Sequence, residues 1–161
     1  MNAAQIHLAL NHAPLFLSLL GGGLLLLGMI KKNNSFRQLS LYLLVIAALL
    51  TVPVFLTGEG TEEIAEHLPG VNESMIERHE EMAKISLFII SATGTVALVG
   101  LVFRKNTSVT KLVFVTALVL SAASFGTMAQ TAHLGGLIRH SELQNGTSPG
   151  TNERENDEDN K

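Results

Sequence analysis

The side chains in this sequence that could do chemistry are histidines and carboxylates, and all of them fall outside the long apolar runs. The chain holds six histidines and 14 acidic residues, and it contains no cysteine. Without cysteine there is no disulfide, zinc ribbon, iron–sulfur cluster or thiol nucleophile. Neutral imidazole and carboxylate together are ligands that suit zinc, iron, manganese or copper(II). The residue types therefore indicate metal chemistry and exclude thiol chemistry.

Four apolar runs must position those side chains. Hydrophobic residues make up 47% of the 161-residue chain and charged residues only 16%, whereas a soluble domain carries about a quarter charged residues. Each run is near the roughly 20 residues that cross hydrocarbon as a helix, the one element that pairs all its backbone groups within a single span. Runs one to four are Ala13–Ile30, Leu39–Leu56, Ile85–Phe103 and Leu112–Ala132. The sequence predicts an all-α membrane protein, an antiparallel bundle of four transmembrane helices.

Basic and acidic residues lie in different connections between the apolar runs. Both short loops, between runs one and two and between runs three and four, contain basic residues and no acidic residue. The basic residues are Lys31, Lys32, Arg37, Arg104, Lys105 and Lys111. Short loops rich in Lys and Arg stay cytoplasmic, so both termini and the central loop are expected outside. Because the first seven residues lack the basic stretch of a signal peptide, run one is read as a retained helix.

The outer segments divide the chain into a membrane domain, residues 1–143, and a tail, residues 144–161. The outer loop, residues 57–84, holds eight glutamates. Its first part, Thr57–Gly70, reads as a short helix that Gly70 stops after Pro69. The tail is rich in Asn, Gly, Thr, Glu and Asp, has no apolar anchor, and is therefore predicted to be disordered.

Each run also carries a seam, a row of mainly small residues at alternating steps of three and four that keep one helix face. Membrane helices pack through such rows because small residues let two backbones approach closely. Three of the seams end in a histidine, which predicts that histidines converge at the outer end of the bundle. The seams are His7, Asn11, Pro14, Ser18, Gly21, Leu25 and Gly28 for run one; Ser40, Leu44, Ala47, Thr51, Val54 and Gly58 for run two; His79, Ala83, Ser86, Ile90, Thr93, Ala97 and Gly100 for run three; and His140, Gly136, His133, Ala129, Gly126, Ala122 and Val119 for run four.

The first interpretation of this convergence is a non-haem site for a transition metal ion: zinc, iron, copper or manganese. Charged groups close to hydrocarbon are costly unless they pair or bind a cation, so ligation would explain the glutamates. A redox role follows only if the bound centre is redox active. The candidate metal ligands are His7 or His12, together with Glu59, Glu63, His79 and His140.

The second interpretation is b-type haem held by two axial histidines, either His79 with His140 or His12 with His133. The small residues would make room for a porphyrin, but haem does not explain the glutamates. The third is an interfacial layer of hydrogen bonds and ion pairs around Arg78 and Arg139, in a structural or interaction subunit of a membrane complex.

The three interpretations imply different partners. The lipid bilayer is common to all, a periplasmic redox partner fits the first two, and a membrane complex fits the third. The sequence has no phosphate-binding loop, no serine-hydrolase elbow and no basic patch for nucleic acid, so no nucleic-acid partner is expected.

Five short segments give the chain a resemblance to a known family. They are Leu10-Asn11-His12-Ala13-Pro14, Thr57-Gly58-Glu59, Leu68-Pro69-Gly70-Val71, His79-Glu80-Glu81 and Leu134-Gly135-Gly136-Leu137-Ile138-Arg139-His140. Over about residues 5–143 the chain resembles an uncharacterised bacterial family of small four-helix integral membrane proteins, classed as a domain of unknown function. The resemblance implies four helices in a bacterial cytoplasmic membrane. It supplies no activity and no catalytic residue.

Overall fold

The computed structural model of this protein describes residues 3–66 and 73–139, with side chains at positions 5–58, 61 and 73–138. Within those ranges the secondary structure is helical, with turns between helices and no strand. The helices are α1 (Ala3–Leu10), α2 (Ala13–Ile30), α3 (Asn34–Glu66), α4 (Glu73–Val102) and α5 (Thr107–Arg139). The predicted disordered tail, residues 144–161, lies outside the described residues.

Four helical segments are long and apolar enough to cross a membrane: Gln5–Ile30, Asn34–Gly58, Glu73–Val102 and Thr107–Ile138. The surface of the bundle is correspondingly apolar, with the side chain of Phe88 77% exposed and that of Leu112 71% exposed. An apolar surface this continuous is rare on a soluble monomer, whereas lipid tails cover it without cost. The protein is a multi-pass integral membrane protein, and the predicted all-α bundle of four transmembrane helices is confirmed.

The four long helices are arranged in a ring. Helices α2 and α4 each pack against both α3 and α5, while α3 and α5 barely touch across the diagonal. Chain neighbours are therefore antiparallel neighbours in space, which is the up-down-up-down topology that short loops favour. The buried interior includes Leu25, Leu44, Ala97 and Ala117.

Close helix contacts in the interior depend on small and hydroxyl side chains. A Cβ atom added to Gly94 would lie 2.4 Å from the Cβ of Ala48, so α4 and α3 approach almost backbone to backbone. Between α4 and α5, the hydroxyls of Thr93 and Ser124 are 2.9 Å apart and share a buried hydrogen bond. These are the two kinds of contact that hold helices together where the hydrophobic effect is absent.

Two prolines lie near the outer ends of the first two spans, one at the start of a helix and the other inside a helix. Pro14 lies in the first turn of α2, where its missing N–H costs nothing, and a turn at Asn11 and His12 separates α1 from α2. Pro53 lies inside α3, which continues without a break to Glu66. The predicted short helix from Thr57 is confirmed as helical over residues 57–66, where it continues the second span as the end of α3; residues 67–70 lie outside the described part.

Of the four predicted seams, those of runs one, two and three are confirmed as the inward faces of the bundle. The seam predicted for run four was wrong. Its members His133, Gly126 and Val119 are exposed, Val119 by 64%. The face of α5 that is buried consists of Val113, Ala117, Ser121, Ser124, Met128 and Leu134. Run four has small residues on every side, so their spacing alone did not distinguish the inward face.

The same pattern of buried positions occurs in both helical hairpins, α2–α3 and α4–α5. Adding 72 to the residue numbers of the six buried positions of α2 gives six buried positions of α4. These pairs are Pro14 and Ser86, Ser18 and Ile90, Gly21 and Thr93, Gly22 and Gly94, Leu25 and Ala97, and Gly28 and Gly100. With an offset of 77, buried Ser40, Leu44, Ala47 and Thr51 of α3 correspond to buried Ala117, Ser121, Ser124 and Met128 of α5. This is the pattern of two parallel hairpins related by an axis along the bundle.

Candidate histidine site

At the end of the bundle away from the short basic loops, here called the histidine end, α1 places His7 against α3. The Nδ1 atom of His7 lies 2.9 Å from the carbonyl oxygen of Val54 and can donate a hydrogen bond to it. The half-buried ring lies beside Gly58, where an added Cβ would be 3.4 Å from its Cε1. A neutral histidine that donates through Nδ1 has an unprotonated Nε2, which is the atom that ligates a metal.

Helix α4 places His79 against α5 in the same manner. Its Nδ1 atom is 2.9 Å from the carbonyl oxygen of Thr131. A Cβ added to Gly135, one helical turn after Thr131, would lie 3.1 Å from the Cε1 of His79. The hydroxyl of Thr131 also hydrogen-bonds at 3.0 Å to that of Ser86, which lies two helical turns along α4 from His79. This second contact fixes the register of α4 against α5 near the histidine.

The two arrangements are equivalent positions of the repeated hairpin. His7 and His79 are related by the offset of 72 that relates α2 to α4. Val54 and Thr131, like Gly58 and Gly135, are related by the offset of 77 that relates α3 to α5. The two rings lie within the range at which a charge on His7 acts on His79. The fold therefore places His7 and His79 at the same end of the bundle, each with its ring against a backbone carbonyl of the following span.

Two other predicted ligands, His12 and His133, are exposed on the bundle surface. The Nδ1 of His12 contacts the side-chain oxygen of Asn11 at 2.5 Å, and its ring stacks on Phe16 with a centroid separation of 6.5 Å. The pairing of His12 with His133 as haem ligands stays a prediction. So does the pairing of His79 with His140, since His140 lies outside the described residues.

Carboxylates also follow His79 directly in the sequence of α4, at Glu80 and Glu81. Glu80 forms an ion pair with Lys84 at 2.6 Å, and Arg78 is exposed. The side chains of Glu59 and Glu63 are outside the described set. Within the described residues, no three His, Cys, Asp or Glu side chains come together as a metal site. Among the described histidines, His7 and His79 are the two whose rings are oriented by a backbone carbonyl of another span.

The sequence identified both histidines but not the groups that orient their rings. It offered His7 and His12 as alternatives, and it did not anticipate that the carbonyls of Val54 and Thr131 orient the two rings. One signal was present in the sequence. Gly58 follows Val54 of the run-two seam by four positions, so a gap opens one turn beyond that carbonyl; Gly135 gave no such signal, because the inward face of run four was not readable from the sequence.

Comparison with protein-family models, curated proteins and solved structures finds no match to this chain. The resemblance to the uncharacterised bacterial family stays a prediction. The site is interpreted from its own geometry.

Proposed function

We propose that this membrane protein binds a transition metal ion through the Nε2 atoms of His7 and His79. The observation that carries the proposal is the repeated arrangement in which each Nδ1 faces a backbone carbonyl and each ring lies on a glycine. Such a second-shell hydrogen bond fixes the tautomer and raises the basicity of the ligating nitrogen. Two independent helix pairs with the same arrangement support a shared role for the rings better than two unrelated packing contacts do.

The ligand set is completed, in this proposal, by side chains of the outer segments: His12, Glu59, Glu63 and His140. Two neutral imidazoles alone leave a four-coordinate ion short of ligands. Carboxylates close to hydrocarbon are stabilised by a bound cation, which gives the glutamate-rich outer loop a reason to lie beside the histidines. Imidazole with carboxylate accepts zinc, iron, copper(II) or manganese. With iron or copper the site has a redox role and calls for a periplasmic redox partner.

A second candidate is b-type haem, and one observation favours it. The two histidines come from separate hairpins and occupy equivalent positions, and two histidines are the full axial ligand set of a six-coordinate haem. In this candidate His7 pairs with His79, a different pairing from the two that the sequence suggested. Haem would make the protein an electron-transfer component of a bacterial cytoplasmic membrane, with its basic loops inside and both termini outside.

The test is metal analysis and an absorption spectrum of the full chain purified in detergent, followed by titration with Zn²⁺ and Cu²⁺. A Soret band selects haem, and one equivalent of metal without that band selects the metal site. His7→Ala and His79→Ala are each expected to weaken binding at least about 100-fold, because loss of an outer-shell partner alone costs about 10- to 100-fold. The double variant should be little worse than either single one, since ligands of one site do not act additively.

The control is His67→Ala, which removes a histidine that belongs to neither candidate ligand set. It is expected to bind as the unchanged protein does. If His7→Ala and His79→Ala also bind normally, the two rings are packing groups and the proposal fails. A protein that holds neither metal nor haem would instead support a structural subunit of a membrane complex.

A further inference from the structure

The opposite end of the bundle, here called the basic end, contains a polar cavity that the histidine site does not involve. The cavity has a volume of about 240 Å³ and lies between the first turns of α3 and α5 and the last turn of α4. Its lining divides between polar residues, among them Arg37, Arg104, Asn34, Gln38 and Thr107, and apolar residues such as Leu41, Leu101 and Phe114. A lining that combines both kinds of side chain suits a small charged group attached to an apolar chain.

Arg37 is fixed with its guanidinium at this cavity. Its Nε donates to the carbonyl oxygen of Gly28 at 2.9 Å, and its Nη1 donates to Asn34 Oδ1 at 3.2 Å. Its Cζ lies 5.4 Å from the ring centroid of Phe114, a cation–π contact. A guanidinium has five N–H groups, and these two bonds use two of them. The remaining donors are held in a fixed orientation, which reduces the entropy lost when an anion binds.

Among the residues that the structure describes, no carboxylate belongs to the helix segments that line this cavity. The sequence has no acidic residue from position 1 to 58 or from 82 to 141, and those ranges supply the whole cavity lining. The cavity also lies at the first turns of α3 and α5, and the partial positive charge of these two helix N-termini outweighs the partial negative charge of the single C-terminus of α4 that lines it. An anion is therefore the complementary ligand for this cavity.

We propose that the cavity binds the phosphate group of an anionic phospholipid. The phosphate would accept from the guanidinium groups of Arg37 and Arg104, a bidentate chemistry that arginine provides and lysine does not. The source is a lipid because the cavity lies where the membrane-spanning segments end, beside exposed apolar side chains such as Val102, Phe103 and Leu112. Basic pockets between helix ends are known headgroup sites in membrane proteins.

The experiment is native mass spectrometry of the full chain in detergent, with phosphatidylglycerol, phosphatidylcholine or inorganic phosphate added. We expect phosphatidylglycerol to be retained about tenfold better than phosphatidylcholine, and inorganic phosphate to compete only weakly. Arg104→Gln should reduce retention of phosphatidylglycerol about tenfold, since charge-assisted hydrogen bonds to arginine are the strong class. Because Arg104 is exposed, this variant should fold normally.

Lys105→Gln is the matched control, because it removes the same charge from the neighbouring exposed position, which is not part of the lining. It should retain phosphatidylglycerol as the unchanged protein does. Equal losses in Arg104→Gln and Lys105→Gln would overturn the proposal, because they would show diffuse surface attraction. Tight binding of inorganic phosphate without lipid preference would overturn the assignment to a lipid. Both outcomes are independent of metal binding at the histidine end.

Discussion

At the scale of single residues, the histidine end depends on two glycines that differ in the room they leave. An added Cβ would lie 3.1 Å from the His79 ring at Gly135 but 3.4 Å from the His7 ring at Gly58. The first distance is tighter than ordinary side-chain contacts, and the second is ordinary van der Waals contact. A methyl group therefore displaces the ring at one position and merely touches it at the other, although the two sites are otherwise equivalent.

We predict that Gly135→Ala weakens metal binding about tenfold, because the His79 ring must shift by a few tenths of an ångström and its Nε2 leaves the ligating position. Gly58→Ala should change the affinity less than about threefold, since the overpacking penalty applies only where space is short. Titration of both variants with Cu²⁺, followed by its visible absorption, measures the difference. Equal losses at both positions would show that the rings are not positioned by these glycines.

At the scale of elements, the basic end depends on a sharp stop of α2. The N–H of Asn33 donates to the carbonyl of Gly28 at 2.9 Å, and the N–H of Lys32 donates to that of Met29 at 3.3 Å. This is a Schellman motif, with Lys32 in the left-handed conformation at φ 52°. The residue usually found there is glycine, since a side chain costs about 1–2 kcal/mol in that conformation. The turn nevertheless carries two basic residues in succession.

Replacing the left-handed lysine should stabilise the bundle. We expect Lys32→Gly to raise the free energy of unfolding by about 0.5–1 kcal/mol, because the relief of strain exceeds the added freedom of the unfolded chain. Lys31→Gly removes the same charge from a position with φ −78°, where glycine brings only an entropy cost of up to about 1 kcal/mol. Unfolding in detergent, followed by circular dichroism, compares the two variants. A change of the same sign in both would indicate an effect of charge and not of backbone conformation.

At the scale of the whole molecule, the two chemically distinct ends lie on opposite sides of four spans. The repeated hairpins both begin at the histidine end, so both short loops and all six of their basic residues fall at the other end. Short loops rich in Lys and Arg favour the cytoplasmic side, and acidic residues contribute little to orientation. We therefore predict that the basic cavity faces the cytoplasm and that the histidines lie on the opposite side.

Because the chain has no native cysteine, single cysteines report this orientation directly. Ser35→Cys and Thr107→Cys, both at exposed positions of the basic end, should be protected from impermeant thiol reagents in intact cells. Glu73→Cys, exposed at the start of α4, should be labelled. Lysed cells are the control, in which all three should react. Labelling of Ser35→Cys in intact cells would reverse the orientation and move the histidines to the cytoplasmic side.

The sequence by itself determined the number of spans and three of the four inward faces. Both follow from properties that are ordered along the chain: the length of an apolar run and the three-and-four spacing of its small residues. Runs one to three each offer one such row, which ends at His7, Gly58 or His79. In the structure each row faces the interior of the bundle, and its end residue is half-buried. The two histidines at the centre of the proposed site were therefore predictable as inward residues.

Only the tertiary structure decided which carbonyl each histidine faces and which side of run four is buried. Run four has small residues all round, so burial of Ser121 and not Ala122 depends on the fit to α2 and α4 and is not readable from periodicity. The sequence also did not show whether the short helix from Thr57 would be continuous with run two. Gly58 and Gly60 weaken a helix without ending it, and in the structure α3 continues to Glu66. Helix propensity and hydrophobicity act along one chain segment, but the register between segments is set by side chains packing from both sides at once.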